Sequence, residues 1–251
     1  MNGSAVVLGG ALVLGANGLI GNAICRLLGA DGLTLIPAGR DTAALERLAD
    51  DLRAAGIRCP EVLTVDATDD DAVEHAVARA AGIADLTVAV NNIGRGHRPS
   101  PLTAMAFDEF DAVVAVTFRA VAVALRAELR AMTEVDGPRA IVNVASSAGT
   151  SGAPGMSAYA AAKHAVIGLT RTAAIDEARH GIRVNAVAPG PIESGPIMAQ
   201  DAAVREQVGQ YMPMGRMGRA DEVAEAVRWM ASPASSYVTG TVLAVDGGKA
   251  A

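Results

Sequence analysis

The sequence is poor in aromatic residues, lysine and cysteine. Only 3% of its 251 residues are Phe, Trp or Tyr, whereas 51% are hydrophobic, so Ala, Val, Leu and Ile must build the core. Its two cysteines, Cys25 and Cys59, lack C-x-x-C spacing, which argues against a disulfide framework and against a zinc site. The four histidines show no ligand spacing either. No metal site is therefore predicted.

Charge and hydropathy exclude two further classes of partner. A net charge of −6 argues against binding to nucleic acid or to an anionic membrane surface. No charged residue lies between Met1 and Cys25, but glycines interrupt this stretch repeatedly and no basic residues open it. We therefore expect neither a signal peptide nor a membrane span, and we expect a cytoplasmic protein.

Apolar runs of strand length alternate with helical segments along the whole chain. Strands are predicted at 11–14, 33–36, 61–65, 86–90, 139–144, 182–187 and 241–245. Helices are predicted at 19–28, 41–55, 69–80, 107–132, 157–180 and 221–230, and a mobile substrate loop at 193–215. This order predicts an α/β protein with one domain, 1–251. Its fold is a Rossmann-like doubly wound domain with a seven-stranded parallel sheet flanked by helices.

The first strand is followed by a glycine-rich turn, 15–21, and then by a helix. In this context glycines let a pyrophosphate approach the backbone closely, and the helix amino terminus offers free N–H groups. The spacing is G-x-x-G-x-x-G rather than G-x-G-x-x-G, which is a weak signal by itself among 27 glycines. A dinucleotide is the predicted ligand.

The end of the second strand bears on which dinucleotide binds. In such folds this strand end meets the adenosine ribose, where a carboxylate accepts from a free 2′-hydroxyl and an arginine binds a 2′-phosphate. Gly39 and Arg40 favour the phosphate, and therefore NADP(H). Asp41 is expected to cap the next helix but is also within reach of the ribose, so NAD(H) remains an alternative.

Tyr159 and Lys163 stand four residues apart in a predicted helix. Residues at this spacing share one helix face, and a nearby ammonium lowers the pKa of a phenol from about 10 towards neutral pH. Lysine occurs only twice in the chain, so a chance pairing is rare. Such a phenol can exchange a proton with a reacting oxygen, and a hydroxyl from the preceding pair, Ser146 and Ser147, can hydrogen-bond that oxygen. The stretch predicts carbonyl and alcohol chemistry.

The candidate residues share one position in the predicted fold. Each follows the carboxyl end of a strand, and these ends lie along the sheet edge where ligands bind in doubly wound folds. They are the glycine turn, Arg40, Asp66, Asn91, Asn92, Ser146, Pro189 and Gly190. Their agreement is a stronger indication of one active site than any single motif.

The chain resembles the short-chain dehydrogenase/reductase family from Leu14 to Gly248. The resemblance rests on G-A-N-G-L-I-G at 15–21, D-A at 66–67, N-N-I-G at 91–94, I-V-N-V-A-S-S at 141–147, Y-A-A-A-K at 159–163 and R-V-N-A-V-A-P-G-P-I at 183–192. It implies an enzyme that interconverts a ketone or aldehyde and an alcohol by hydride transfer with a nicotinamide cofactor.

The resemblance also implies roles for single residues. Tyr159 would be the catalytic acid or base, Lys163 would lower its pKa and bind the nicotinamide ribose, and Ser146 would orient the substrate oxygen. Thr117 falls at the position of a proton-relay residue. The cofactor-binding residues implied are Gly15, Asn17, Gly18, Leu19, Ile20, Gly21, Arg40, Asp66, Ala67, Asn91, Asn92, Gly94, Tyr159, Lys163, Pro189, Gly190, Ile192 and Ser194.

The sequence departs from the family pattern at three positions. Leu14 replaces the usual threonine before the first glycine. Leu19 stands where the family has its middle glycine, so its side chain must point away from a bound pyrophosphate. Thr117 replaces an asparagine that helps to hold a relay water, and a hydroxyl differs from an amide in shape and donor count.

Three further expectations concern substrate, assembly and alternative functions. A pocket formed by 95–104, Met156 and 193–215 is mostly apolar, which suits a medium-sized apolar or cyclic ketone. Helices 107–132 and 157–180 are expected to form a homodimer or homotetramer interface by family resemblance. The alternatives are an NAD(H)-dependent alcohol dehydrogenase of the same family and a catalytically weak, cofactor-binding regulatory protein on the same fold.

Overall fold

The structure, a computed structural model, describes residues 9–251, and these contain one seven-stranded parallel sheet. The strands are β1 (Gly10–Leu14), β2 (Thr34–Gly39), β3 (Leu63–Thr64), β4 (Leu86–Asn91), β5 (Arg139–Val144), β6 (Ile182–Pro189) and β7 (Val242–Val245). Their order across the sheet is β3-β2-β1-β4-β5-β6-β7. All neighbours pair in parallel, so the carboxyl ends of the strands meet at one edge. The predicted fold class is confirmed.

Helices cover both faces of this sheet. They are α1 (Leu19–Ala30), α2 (Thr42–Ala54), α3 (Asp70–Ile83), α4 (Phe107–Val114), α5 (Ala120–Thr133), α6 (Ser157–Glu177), α7 (Ala202–Gln210) and α8 (Ala220–Ala231). Alternate residues of β1 enter two separate apolar clusters: Leu12 packs with α3, α5 and α6, whereas Val13 packs with α1, α2 and α8. None of the helices within 9–251 combines the length and apolar character needed to cross a membrane.

Aspartate caps start two of these helices as local chemistry predicts. The Asp41 carboxylate accepts a hydrogen bond of 2.9 Å from the Ala44 amide, and the Asp69 carboxylate accepts one of 3.1 Å from the Ala72 amide. Each bond satisfies an N–H group that has no partner within its helix. The capping role predicted for Asp41 is therefore observed.

Three predicted segments differ from the structure. The strand expected at 61–65 is shortened to β3, Leu63–Thr64. The helix expected at 107–132 is interrupted by a π-helical turn, Ala115–Arg119, between α4 and α5. The loop expected at 193–215 contains the 3₁₀ turn Gly195–Ala199 and the helix α7. Only Gly209 of α7 is buried, so this helix has no apolar stripe by which its sequence could be recognised.

Candidate active site

The glycine-rich turn between β1 and α1 depends on close backbone packing. Gly15 has a φ of +79°, and a Cβ there would lie 2.2 Å from the Asn92 carbonyl oxygen. A Cβ on Gly21 would lie 2.2 Å from the Gly15 carbonyl oxygen. At Gly18, in contrast, the nearest protein atom would be 3.8 Å away. The outer glycines thus serve packing within the protein, and Gly18 leaves open space above the turn.

This open space meets the amino terminus of α1. Gly18 is the N-cap residue, no side chain caps the helix, and its first turn carries no acidic residue. The first amides of α1, at Leu19, Ile20 and Gly21, are therefore available to phosphate oxygens. The Leu19 side chain is 57% exposed, which agrees with the expectation that it leaves the backbone clear. A backbone cradle of this kind fits a dinucleotide pyrophosphate.

The ends of β2 and β3 hold the polar groups expected near an adenosine. Arg40 is exposed and forms no ion pair with another residue in 9–251. The Asp66 carboxylate accepts hydrogen bonds from the amide and the hydroxyl of Thr68, at 2.9 and 2.8 Å. These bonds, with a smaller effect from the Arg40 charge, lower the pKa of Asp66. Asp41 is engaged in its cap, so Arg40 is the freer of the two adjacent charges.

The two asparagines that follow one another at the end of β4 face in different directions. Asn92 donates through Nδ2 to the Gly15 carbonyl at 3.0 Å and so links β4 to the glycine turn. The buried Asn91 donates to Glu128 and to Asn143, each at 2.9 Å, within the core. The Asn91 Nδ2 is therefore engaged within the core, and the support of a cofactor by Asn91 stays a prediction.

Ser146, Tyr159 and Lys163 come together where β5 ends beside α6. Ser146 lies close enough to the Tyr159 phenol to lower its pKa, and the Ser146 Oγ accepts from the Ala148 amide at 3.1 Å. The Lys163 side chain is 2% exposed and its Nζ lies 5.8 Å from the centre of the Tyr159 ring. Nζ donates to the carbonyl oxygens of Val144 at 2.7 Å and Ile93 at 3.1 Å. The ends of β4 and β5 thus fix the lysine behind the phenol.

The predicted direction of the Tyr159 pKa shift is wrong for this state of the protein. Burial raises the pKa of Tyr159, and hydrogen bonding with Ser146 opposes that rise only in part. Burial also lowers the pKa of Lys163 to about 7, so the amine is only partly charged near neutral pH. Desolvation is the largest cause of both shifts. Tyr159 consequently keeps its proton at neutral pH and is prepared to donate it.

Thr117 lies in the π-helical turn and contacts the backbone that follows β4. Its hydroxyl accepts from the Arg95 amide at 3.0 Å and donates to the Arg95 carbonyl at 3.2 Å, so its one proton is already used. The same stretch passes close to the catalytic pair, because a Cβ on Gly94 would lie 3.4 Å from Lys163 Nζ. Thr117 therefore positions the segment that includes Gly94, and its predicted role in holding a relay water stays a prediction.

The turn after β6 completes this edge of the sheet. β6 ends at Pro189, and the Gly190 amide donates to the Val245 carbonyl at 3.0 Å. Ile192 is buried and pairs with Gly218 in an isolated bridge, and Ser194 precedes the 3₁₀ turn. These residues lie where the prediction put them along the chain, and their contacts with a nicotinamide stay predictions.

A buried glutamate near this site was missed by the sequence-based prediction. Glu128 on α5 is fully buried, and burial raises its pKa to about 7 although the Asn91 hydrogen bond opposes the rise. Its Oε1 has no hydrogen-bond partner among residues 9–251. Glu128 stands three residues after Leu125 and four before Met132, which are both buried. This helical spacing could have predicted the burial of Glu128, because it puts the carboxyl group on the apolar stripe of the helix.

Comparisons with known proteins agree with this geometry. Residues 15–250 match a family model described as enoyl-(acyl carrier protein) reductase. The cis-4-hydroxycyclohexanecarboxylate dehydrogenase of Sinomonas cyclohexanicum is 40% identical over 242 residues, covering 96% of each chain. The galactitol 2-dehydrogenase (L-tagatose-forming) of Cereibacter sphaeroides is 40% identical over 246 residues, covering 95% of this chain and 93% of that one.

A solved structure extends the comparison to the whole fold. A variant of actinorhodin polyketide ketoreductase, determined with NADPH, superposes with a TM-score of 0.90 at 31% identity and covers 96% of each chain. Fold and site thus define a nicotinamide-dependent oxidoreductase that acts on CH–OH or C=O groups. The chain belongs to the short-chain dehydrogenase/reductase family.

Proposed function

We propose that the protein is an NADP(H)-dependent oxidoreductase that interconverts a ketone and a secondary alcohol through Ser146, Tyr159 and Lys163. The observation that carries this proposal is the position of Lys163 at the carboxyl edge of the sheet, where the Val144 and Ile93 carbonyls hold its Nζ 5.8 Å from the centre of the Tyr159 ring, with Ser146 beside the phenol. Two hydroxyl groups converge there on the space where a substrate oxygen would lie. Such a pair can bind that oxygen and exchange a proton with it.

The proton steps follow from the pKa shifts of Tyr159 and Lys163. In reduction, Tyr159 gives its proton to the oxygen on which negative charge develops, while Ser146 holds that oxygen by a hydrogen bond. The nicotinamide of a bound cofactor supplies or accepts the hydride. In oxidation, Tyr159 must first lose its proton, and its raised pKa therefore predicts faster oxidation at alkaline pH. Lys163, whose pKa is about 7, can take up or release a proton behind the phenol.

The residues that would hold the cofactor are those with free backbone amides or unpaired charge. The first turn of α1 would bind the pyrophosphate, and the exposed Arg40 would bind a 2′-phosphate on the adenosine ribose. Asp41 is less available to a free 2′-hydroxyl because it caps α2. This difference supports NADP(H) over NAD(H).

A cyclic secondary alcohol or ketone is the substrate class that we propose. Exposed apolar side chains lie on the 193–215 segment, where Met198, Tyr211 and Met214 are 42%, 74% and 65% exposed. Methionine adapts to varied apolar shapes, which suits a ring. The Sinomonas relative is named for a hydroxycyclohexane substrate, which makes such rings the first compounds to assay.

We also propose self-association through helices 107–132 and 157–180. Large apolar side chains are exposed there, including Ile175 at 78% and Phe107 at 70%. Light scattering after size exclusion should give a dimer or tetramer, and Ile175→Asp should dissociate it. Val204→Asp, at an exposed position on α7, is the control. A monomeric wild-type protein would contradict this proposal.

The proposed activity is tested by NADPH oxidation with a panel of cyclic ketones. Wild-type protein should turn over at least one ketone, and Tyr159→Phe should reduce kcat/KM by about 10²–10⁴-fold while leaving NADPH binding unchanged. Arg40→Gln should raise KM for NADPH at least about tenfold, whereas Arg47→Gln, which changes an exposed arginine within α2, should not. An active Tyr159→Phe variant would refute the mechanism, and cofactor binding without any turnover would favour a regulatory protein.

A further inference from the structure

The second of the two lysines lies beside the proposed active site and has no role in the mechanism so far. Lys249 follows β7 by four residues, and its Nζ donates to the Ser147 hydroxyl at 3.0 Å. Ser147 is the next residue after Ser146, so their Cα atoms are about 3.8 Å apart. We propose that Lys249 binds a carboxylate on the substrate, which makes the preferred substrate a hydroxy acid or oxo acid. This inference rests on the proposed function.

The tail that carries Lys249 packs against two further walls of the site. A Cβ on Gly190 would lie 2.8 Å from the Cα of Asp246, so the tail touches the turn after β6. The Met214 amide donates to the Gly247 carbonyl at 3.2 Å, so the tail also touches the 193–215 segment. The segment from Asp246 to Lys249 therefore lies between the serine turn, the β6 turn and the proposed substrate pocket.

The backbone of this tail is held independently of Lys249. The Asp246 carboxylate accepts hydrogen bonds from the Gly248 amide at 3.0 Å and the Ala250 amide at 2.9 Å. Gly247 and Gly248 have φ values of +64° and +86°, which let the chain turn back towards Ser147. The ammonium is thus presented by a fixed turn, and its removal should leave the tail in place.

The Lys249 ammonium differs from two other cations around the pocket in that it has no ion-pair partner within residues 9–251. Arg95 is paired with Glu109, and Arg216 is paired with Glu222. Lys249 forms no ion pair within residues 9–251 and contacts a neutral hydroxyl instead. An ammonium has three donors, so two remain for a ligand, and the side chain is exposed. A carboxylate would accept hydrogen bonds from these two donors and would supply a negative charge to pair with the Lys249 ammonium.

Position and size define the substrate class more closely. The proposed reacting oxygen lies at Ser146 and Tyr159, and the proposed anion lies one residue along the chain at Ser147. A ligand that reaches both must carry its carboxylate a few bonds from its hydroxyl or carbonyl group. A hydroxycyclohexanecarboxylate meets this condition, and a long-chain alcohol does not.

Ligand binding tests the assignment without turnover. Cyclohexanecarboxylate, which has no hydroxyl to oxidise, is titrated into the protein with NADP⁺ present, and cyclohexanecarboxamide serves as the uncharged counterpart. Lys249→Met should weaken carboxylate binding about tenfold or more and leave carboxamide binding unchanged, as expected for a charge-assisted hydrogen bond. Lys249→Arg should retain most of the affinity because it keeps the charge.

Two control variants test whether the effect belongs to this position. Arg179→Met removes one positive charge beside the amino end of β6, far from the carboxyl edge, and should change nothing. Arg98→Met removes a charge from the exposed loop that follows β4. Loss of carboxylate binding in Arg98→Met, with unchanged binding in Lys249→Met, would overturn the assignment, as would failure of the wild-type protein to prefer the carboxylate over the carboxamide.

Steady-state kinetics separate this inference from the proposed function. With cis-4-hydroxycyclohexanecarboxylate as substrate, Lys249→Met should raise KM about tenfold and change kcat less than about twofold, whereas KM for cyclohexanol should not change. Turnover of cyclohexanol with carboxylate binding unaltered in Lys249→Met would overturn the Lys249 assignment alone. Carboxylate binding that depends on Lys249, without turnover of any alcohol, would support the assignment and overturn the proposed function.

Discussion

Two titratable side chains are buried under the same face of the sheet, Lys163 on α6 and Glu128 on α5, and their surroundings differ. Lys163 lies at the carboxyl edge and donates to two backbone carbonyls where β4 and β5 end. Glu128 lies deeper, accepts from the Asn91 amide and leaves one oxygen without a partner. Burial moves both pKa values to about 7, in opposite directions from their ordinary values.

The difference indicates how one sheet face serves both chemistry and structure. At the edge, the carbonyl groups of Val144 and Ile93 hold an amine behind a reacting phenol. Beneath the sheet, the Asn91 and Asn143 side chains meet between paired strands and continue to Thr170, so Glu128 belongs to a buried polar network. Within residues 9–251, Glu128 Oε1 and Asn91 Oδ1 are the atoms of this network without a partner. We therefore expect Lys163 to control activity and Glu128 to control stability.

The largest expected effect is on catalysis by Lys163→Met. This change keeps the length and removes the proton-carrying amine, so kcat/KM should fall by about 10²–10⁴-fold. Glu128→Gln, the matched isosteric change at the deeper position, should stay within about threefold of wild type. Initial rates of NADPH oxidation measure both, with far-ultraviolet circular dichroism and thermal unfolding as the tests of intact folding. Equal losses of kcat/KM in the two variants would contradict the assignment of activity to Lys163 and of stability to Glu128.

The next effect is on the pH dependence of stability through Glu128. Its pKa is about 4.5 when unfolded and about 7 when folded, so the folded state binds more protons between these values. The free energy of unfolding should therefore fall as pH rises from about 4.5 to 7, by up to about 3 kcal/mol from this group. Urea unfolding of wild type and Glu128→Gln at pH 5 and pH 8 measures the difference. Parallel curves for the two proteins would show that Glu128 is not held neutral.

Lys163 should produce the opposite trend in a higher pH range. Its pKa falls from 10.5 when unfolded to about 7 when folded, so the unfolded state binds more protons between these values. The contribution of Lys163 to the free energy of unfolding should therefore rise with pH from about 7 to 10.5, and Lys163→Met should abolish this rise. Urea unfolding at pH 7 and pH 9 measures it. A rise that persists in Lys163→Met would assign it to other groups.

The smallest expected effect concerns Thr117, which lies in the π-helical turn and contacts the segment beside Lys163. Thr117→Val removes the hydroxyl that bonds both the amide and the carbonyl of Arg95, and should cost about 1–3 kcal/mol of unfolding free energy. Thr117→Ser keeps the hydroxyl and should retain the contact. If Thr117 acts by positioning, kcat should fall in Thr117→Val and recover in Thr117→Ser. Equal kcat in wild type, Thr117→Val and Thr117→Ser would show that Thr117 does not position the active site.

Residue patterns predicted the position of the active-site residues at the sheet edge far better than they predicted the pKa values of those residues. The alternation of strands and helices gave the sheet, and the carboxyl ends of its strands brought Ser146, Tyr159 and Lys163 together. The pKa of Tyr159 could not be predicted from Lys163 at helical spacing, because burial of both groups depends on packing around them.

The remaining differences have equally local causes. The π-helical turn at Thr117 could not be predicted from its own residues, and the contact that its hydroxyl makes is with Arg95, which lies 22 residues earlier in the chain. The direction of Asn91 could not be predicted because either face of a buried parallel strand is open to a polar side chain. Its partner Glu128 could have been found, because a carboxyl group on an otherwise apolar helix stripe needs a buried donor.

Hydride transfer itself tests the central claim most directly. NADPH deuterated at nicotinamide C4 is incubated with 4-oxocyclohexanecarboxylate and either wild-type protein or Tyr159→Phe, and the alcohol is examined by mass spectrometry. The proposed mechanism predicts deuterium at the carbinol carbon with wild type and a loss of about 10²–10⁴-fold in its rate of appearance with Tyr159→Phe. Transfer at the wild-type rate in Tyr159→Phe, or alcohol formed without deuterium from either NADPH stereoisomer, would contradict it.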